Sequence, residues 1–223
     1  MFNHKITEKT SGSNYYETGV SDTATESIYQ AVKKDILLGE LKPGMMISES
    51  QLSKHFEISR TPVREALNML IAEGLLTSLA RKGYVVNSMN ISEMVEAYSI
   101  RELLEVDAVS KAVHRISSDE LDRIKRSLLD SKEGDFLKVN YQFHMAIARG
   151  SRNRVLEKFI ADLLIKLQPA IVMNPARLQW TDYDTEEHMN IIDALEARDE
   201  QKAIVSMRRH IQDSLKNVLE QRS

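Results

Sequence analysis

Apolar residues recur at helical spacing through most of the chain, and the pattern breaks in one place. From Thr23 onward, Ile28, Val32, Ile36 and Leu37 repeat at the three- and four-residue intervals of an amphipathic helix. That helix is predicted to end near Gly39, before a Leu41-Lys42-Pro43-Gly44 turn. A second helix opens at Ser48, which with Gln51 three residues on has the form of a capping box, and Leu52 and Phe56 supply its apolar face. After Glu57-Ile58-Ser59 a third helix begins. Pro62 falls in its first turn, where a missing N–H costs nothing, and Val63, Ala66, Leu67, Leu70 and Ile71 form a stripe ending at Gly74. Here the period shortens, and 75–79 and 84–86 read as two strands around the basic turn Ala80-Arg81-Lys82-Gly83. Beyond Asn90 the pattern is helical again. Asn90 with Glu93 and Ser117 with Glu120 look like further capping boxes, and helices are expected near 91–114, 118–131, 134–149, 153–172, 183–198 and 200–220.

The fold class expected is mainly α: an N-terminal winged helix-turn-helix with a small β-hairpin wing, then an all-helical bundle. Residues 1–22, polar and aperiodic, read as a flexible N-terminal arm. Residues 23–90 form the winged helix-turn-helix and 91–223 the helical domain. Composition agrees, since 6% aromatic residues, 8 Gly and 4 Pro argue against a turn-rich sandwich or barrel. The absence of cysteine excludes disulfides, thiolate zinc sites and a cysteine nucleophile. With no apolar run of membrane-spanning length and no signal-peptide h-region, a cytoplasmic protein without a membrane partner is expected.

The formal net charge of −3 is uninformative as an average. Within 23–90, eight Lys and Arg face seven Asp and Glu, yet Arg60, Arg64, Arg81 and Lys82 fall at the two places a winged helix offers to a duplex. Ser59, Arg60, Thr61 and Arg64 stand at the N-terminal end of the second helix of the motif. Arg60 and Arg64 share a face away from the apolar stripe, where a guanidinium can fork onto guanine N7 and O6. Arg81, Lys82 and Gly83 form the wing tip. The competing reading is a scaffold whose arginines pair with Glu65 and other surface neighbours.

The run Leu52-Ser53-Lys54-His55-Phe56-Glu57-Ile58-Ser59-Arg60-Thr61-Pro62-Val63-Arg64-Glu65-Ala66-Leu67, with Glu73-Gly74-Leu75 and Lys82-Gly83-Tyr84-Val85-Val86, resembles the DNA-binding domain of the GntR family of bacterial transcription regulators. The resemblance implies that Arg60, Thr61 and Arg64 contact an operator and that Gly83 lets the wing approach the DNA backbone. Ser50 stands where some members carry a further DNA-contacting Arg.

Among the six histidines, three have a pattern. His144 follows Asn140 by one helical turn, so both project from one face. His188 precedes Arg198 by ten residues and His210 follows Asp199 by eleven. An antiparallel hairpin turning there brings them to similar heights, roughly 15–17 Å from the turn. Three imidazoles and an amide oxygen would make a facial metal site with open positions; three scattered surface or core histidines are the alternative, and spacing leaves both open.

Asn140-Tyr141-Gln142-Phe143-His144, Glu187-His188-Met189-Asn190-Ile191-Ile192-Asp193-Ala194-Leu195 and Met207-Arg208-Arg209-His210 resemble the ligand segments of the FCD domain, the sensor of the FadR-type subgroup. The resemblance implies a divalent metal, zinc or alternatively nickel, held by Asn140, His144, His188 and His210, with Asn140 where the family often has Asp. Arg101-Glu102-Leu103-Leu104-Glu105 is similar to a segment whose Arg reaches an effector carboxylate; the alternative for Arg101 is a surface i,i+4 ion pair with Glu105, worth little. The expectation is thus a DNA-binding regulator, a repressor by the commoner family habit, bound as a homodimer to a palindromic double-stranded operator and controlled by a small carboxylate. A helical His-metal enzyme and an effector-independent DNA-binding protein are the rivals. Against the enzyme, the chain lacks HExxH, and no carboxylate is clearly placed as a base beside the histidines.

Overall fold

The computed structural model describes residues 23–130, 136–172 and 182–220, so the predicted arm lies outside the described residues. Helices α1 (Ala24–Leu37), α2 (Glu49–Phe56) and α3 (Arg60–Ala72) precede strands β2 (Leu76–Leu79) and β3 (Gly83–Val86), with a short β1 (Met46–Ile47) between α1 and α2. There follow α4 (Ile91–Ala112), α5 (Ser118–Leu129), α6 (Phe136–Gly150), α7 (Arg154–Val172), α8 (Asp182–Glu196) and α9 (Glu200–Leu219). The backbone separates into two compact units, one of 23–88 with 168–172, the other of 89–167 with the described part of 174–220.

In the first unit the apolar stripes behave as their spacing dictates. Ile28, Val32 and Ile36 of α1, Leu52 of α2 and Val63, Ala66, Leu67 and Leu70 of α3 are all buried, as are Leu76 and Val86 of the sheet. Each large aliphatic side chain so removed from water stabilises the unit by about 1.5–3 kcal/mol. Ser48 caps α2 with the reciprocal Gln51 bonds of a capping box. The chain leaves α2 through Glu57 in the left-handed region (φ 56°), which tightens the turn into Ser59, the N-cap of α3.

The wing is a three-stranded sheet of order β1-β3-β2 rather than the expected two-stranded hairpin. Two residues, Met46 and Ile47, are too few to show an alternating pattern, and they pair antiparallel with Val85 and Tyr84. Gly83 makes this pairing possible. Its φ is +102°, and a Cβ there would stand 2.6 Å from the Ile47 carbonyl oxygen. Gly83→Ala is therefore expected to destabilise the first unit by about 1–3 kcal/mol, read from the denaturant midpoint; an unshifted midpoint would show that β1 can yield.

In the second unit α4 packs on α6 and α9, α8 on α9, and α5 across α6 and α8. Asn90 and Ser117 open α4 and α5 with complete capping boxes. Met94, Tyr98, Ala108, Phe143, Ile191, Ile192, Met207 and Ile211 are among the buried residues of these helices, and Met145 and Ala148 join Leu156, Ile160 and Leu164 of α7. Among the described residues no helix is long and apolar enough to cross a membrane.

Candidate functional site

The centre of the second unit is polar. His144 on α6, His188 on α8 and His210 on α9 are all buried, and one ring nitrogen of each lies within 4.8 Å of the others. The antiparallel α8–α9 hairpin brings the His188 and His210 rings to 4.5 Å between centroids, at the matched heights that the spacing from Arg198-Asp199 predicts. Phe143 closes one side, edge-on to His188 at 4.3 Å. Asn140 lies one turn before His144 on α6 and is half-buried.

Hydrogen bonds fix which atoms of two rings face the centre. Arg101 Nη2 lies 2.8 Å from His144 Nε2. A guanidinium only donates, so Nε2 is the acceptor and the ring proton sits on Nδ1. From there it donates to Glu105 Oε2 at 2.5 Å. The other oxygen, Oε1, takes Arg101 Nε at 2.6 Å. Burial keeps His144 below the usual histidine range, hence neutral, despite the opposing pull of Glu105. Burial by itself would raise the Glu105 carboxyl; the hydrogen bond from His144 and the charge and hydrogen bond of Arg101 outweigh it and hold it below the usual carboxylate range. On α9, His210 Nδ1 donates to Glu187 Oε2 at 3.2 Å, which leaves Nε2 as the atom of this ring that faces inward.

The two Nε2 atoms, His144 and His210, stand 3.3 Å apart. Two ring nitrogens at that distance can share a proton, one ring donating to the other, or a metal cation. Two imidazole nitrogens bound tetrahedrally to one ion at roughly 2.0–2.1 Å stand about 3.3–3.4 Å apart. Imidazoles whose outer nitrogens are held by carboxylates are the usual ligand arrangement of nitrogen-rich metal sites. The residues present fit a divalent metal.

Two expectations need correction. Arg101 and Glu105 do form an i,i+4 pair, but it is not a surface pair: both side chains are 2% exposed. Carboxylates also stand beside the histidines, since Glu105 and Glu187 contact His144 and His210. Both engage Nδ1 and thus orient rings. The i,i+4 spacing of Arg101 and Glu105 was visible in the sequence, as was Glu187 next to His188; their partners on other helices were not.

At the other candidate site, Ser59, Arg60 and Thr61 are exposed at the N-terminal end of α3, and Ser59 makes no side-chain cap bond. Arg81, in the left-handed region at φ 63°, and Lys82 are exposed at the wing tip. Arg64 does not pair with Glu65, which instead accepts from Thr25 Oγ1. Its Nε and Nη2 fork onto Glu49 at 2.9 and 2.8 Å, and Tyr84 Oη of β3 donates to the same carboxylate at 2.9 Å. The bonds from Arg64, against slight burial, hold the Glu49 carboxyl below its ordinary range. The guanidinium is 60% exposed, so the pair contributes little stability; what it does is aim the side chain.

Comparison with known families matches residues 24–86 to bacterial regulatory proteins of the gntR family and residues 96–213 to the FCD domain. The Nta operon transcriptional regulator of Aminobacter aminovorans is 30% identical over 190 residues, covering 80% of this chain and 87% of that protein. Among solved structures, E. coli McbR/YncC superimposes with a TM-score of 0.78 at 25% identity, over 91% of this chain and all of that one. The Zn2+-bound FCD domain of TM0439 matches with a TM-score of 0.52 at 18% identity, over 60% of this chain and 96% of that domain, a likeness of fold.

Proposed function

Given that this chain belongs to the gntR family of bacterial regulatory proteins and carries an FCD domain, as a transcriptional regulator rather than an enzyme, we propose that it is a metal-containing repressor released from its operator by a small carboxylate. The observation carrying this reading is the convergence of His144 and His210 Nε2 atoms at 3.3 Å, each backed by a carboxylate, beside the fully buried Arg101. His144, His188 and His210 would hold the ion, with the Asn140 amide oxygen as a fourth, uncharged ligand. Zn2+ suits an imidazole-rich set and Ni2+ is the alternative. The ion would supply positive charge that neutral ligands leave uncompensated, a charge that favours an anionic effector. Arg101 offers donors to the same anion.

At the DNA end, the α3 N-terminus with Ser59 and Thr61 suits phosphate, Arg60 and the outer edge of the Arg64 guanidinium suit guanine, and Arg81, Lys82 and Gly83 suit the duplex backbone. A homodimer in the cytoplasm would match a palindromic operator by its own two-fold symmetry. Effector binding shifts operator affinity only by its differential affinity for the two states of the dimer.

The test is a mobility-shift titration of the metal-loaded protein on its own promoter region, with and without a panel of small carboxylates. Release by one of them is expected; binding indifferent to every carboxylate would favour an effector-independent DNA-binding protein. In the same assay Arg64→Ala is expected to cost about 1–3 kcal/mol and to relax sequence preference. Unchanged affinity would remove Arg64 from the interface.

A further inference from the structure

The arrangement around His144 contains a conflict that the metal reading by itself does not resolve. An imidazole Nε2 has a single lone pair in the ring plane. In the structure Arg101 Nη2 donates to it at 2.8 Å. A metal ligated by His144 needs the same lone pair. The hydrogen bond and the coordination bond are mutually exclusive.

We propose that Arg101 is the internal competitor of the metal site, and that it becomes an anion donor only when the site is filled. The inference rests on the reading of His144, His188 and His210 as a metal centre. Two features decide what the guanidinium does when it yields. Its Nε stays anchored on Glu105 Oε1 at 2.6 Å, and Glu105 still holds His144 Nδ1 through Oε2, so neither the arginine stem nor the ring is set loose. The Nη2 donor, however, loses its acceptor at a position that is 2% exposed, beside a newly added cation. A buried donor left without an acceptor is costly, and two neighbouring positive charges repel. A small carboxylate relieves both at once, one oxygen taking the Nη2 hydrogen and the other facing the ion. Metal and anion therefore bind with positive cooperativity, and Arg101 transmits it.

The variant that isolates this is the double exchange Arg101→Met with Glu105→Gln. It removes one charge of each sign, and Glu105→Gln alone is the reference for it, because losing the outer carboxylate of His144 by itself weakens metal binding. The glutamine Oε1 can still accept the His144 Nδ1 hydrogen. Circular dichroism establishes that the variant is folded, and the single variant Arg101→Lys, which keeps the charge but loses the fork, serves if it is not. Zn2+ affinity is measured by chelator competition in a non-coordinating buffer, first without and then with added acetate. Relative to Glu105→Gln, removing the hydrogen bond between the charged donor and its acceptor is expected to tighten Zn2+ binding by about 10- to 100-fold. Acetate is expected to strengthen Zn2+ binding by a larger factor in the native chain than in the variant.

Zn2+ affinity no tighter in the double variant than in Glu105→Gln would overturn the competition while leaving the metal centre standing, and an acetate effect equal in the native chain and the double variant would overturn the coupling. If neither chain takes up Zn2+, the metal reading itself falls and carries this inference with it. Uptake by the variant alone would be its strongest support.

Discussion

Glu105→Ala is expected to destabilise the second unit by about 3–5 kcal/mol, the cost of breaking a buried ion pair by removing one partner. The carboxylate takes hydrogen bonds from Arg101 Nε and His144 Nδ1 at once, and both neighbours are buried. Without it, the guanidinium keeps its charge in a site closed to water and the imidazole loses the acceptor that fixes its tautomer. Urea unfolding followed by circular dichroism reads the loss, and a change below about 1 kcal/mol would mean that water or a rearranged side chain takes over the role of Glu105. Replacing both members of the pair by leucine is expected to recover much of the loss, because a buried ion pair is weak evidence for net stabilisation while a broken one is strongly destabilising. The two experiments together separate the cost of an orphaned charge from the worth of the intact pair.

The second large effect concerns the metal. His144→Ala combined with His188→Ala is expected to turn stoichiometric Zn2+ uptake into none, measured by elemental analysis after loading and desalting, with the helical dichroism retained. Stoichiometric metal in the double variant would exclude these two rings as ligands. Glu187→Gln is a milder probe of the same centre. Glutamine can accept the His210 Nδ1 hydrogen but lacks the carboxylate charge, and loss of such an outer partner typically weakens metal binding about 10- to 100-fold.

How much of this was legible in the chain depends on the kind of signal. Local signals carried through. Ser48, Asn90 and Ser117 each cap a helix with the Gln or Glu three residues on, because a capping box is written in four adjacent residues. The meeting of His188 and His210 followed from counting residues on either side of one turn, since helical rise is constant. Signals that depend on the neighbouring helix did not carry through. On α4, composition places Leu103 inside and Arg101 at the surface, yet Leu103 is 68% exposed and Arg101 is 2% exposed. The reversal arises because the face of α4 turned toward α6 meets imidazoles, and charged groups that complete one another's hydrogen bonds can be buried there. Likewise, nothing around Glu49 announces that it faces Arg64, fifteen residues away on α3. The wing tip was read for its charges, and Gly83 for an approach to DNA. The requirement at Gly83 that the structure makes visible is internal, the passage of β1.

That third strand has a mechanical consequence. Ile47 lies against Tyr84 in the sheet, Ser48 follows directly as the cap of α2, and Glu49 joins Tyr84 of the wing to Arg64 of α3. Wing and recognition helix are thus geared together through one short stretch of chain, and neither can tilt without turning the other. Such a head behaves as a stiff two-pronged gauge. With both prongs on DNA as proposed, it would measure a fixed interval along a duplex, and a base pair inserted between what the two prongs touch would have to be absorbed by bending the DNA.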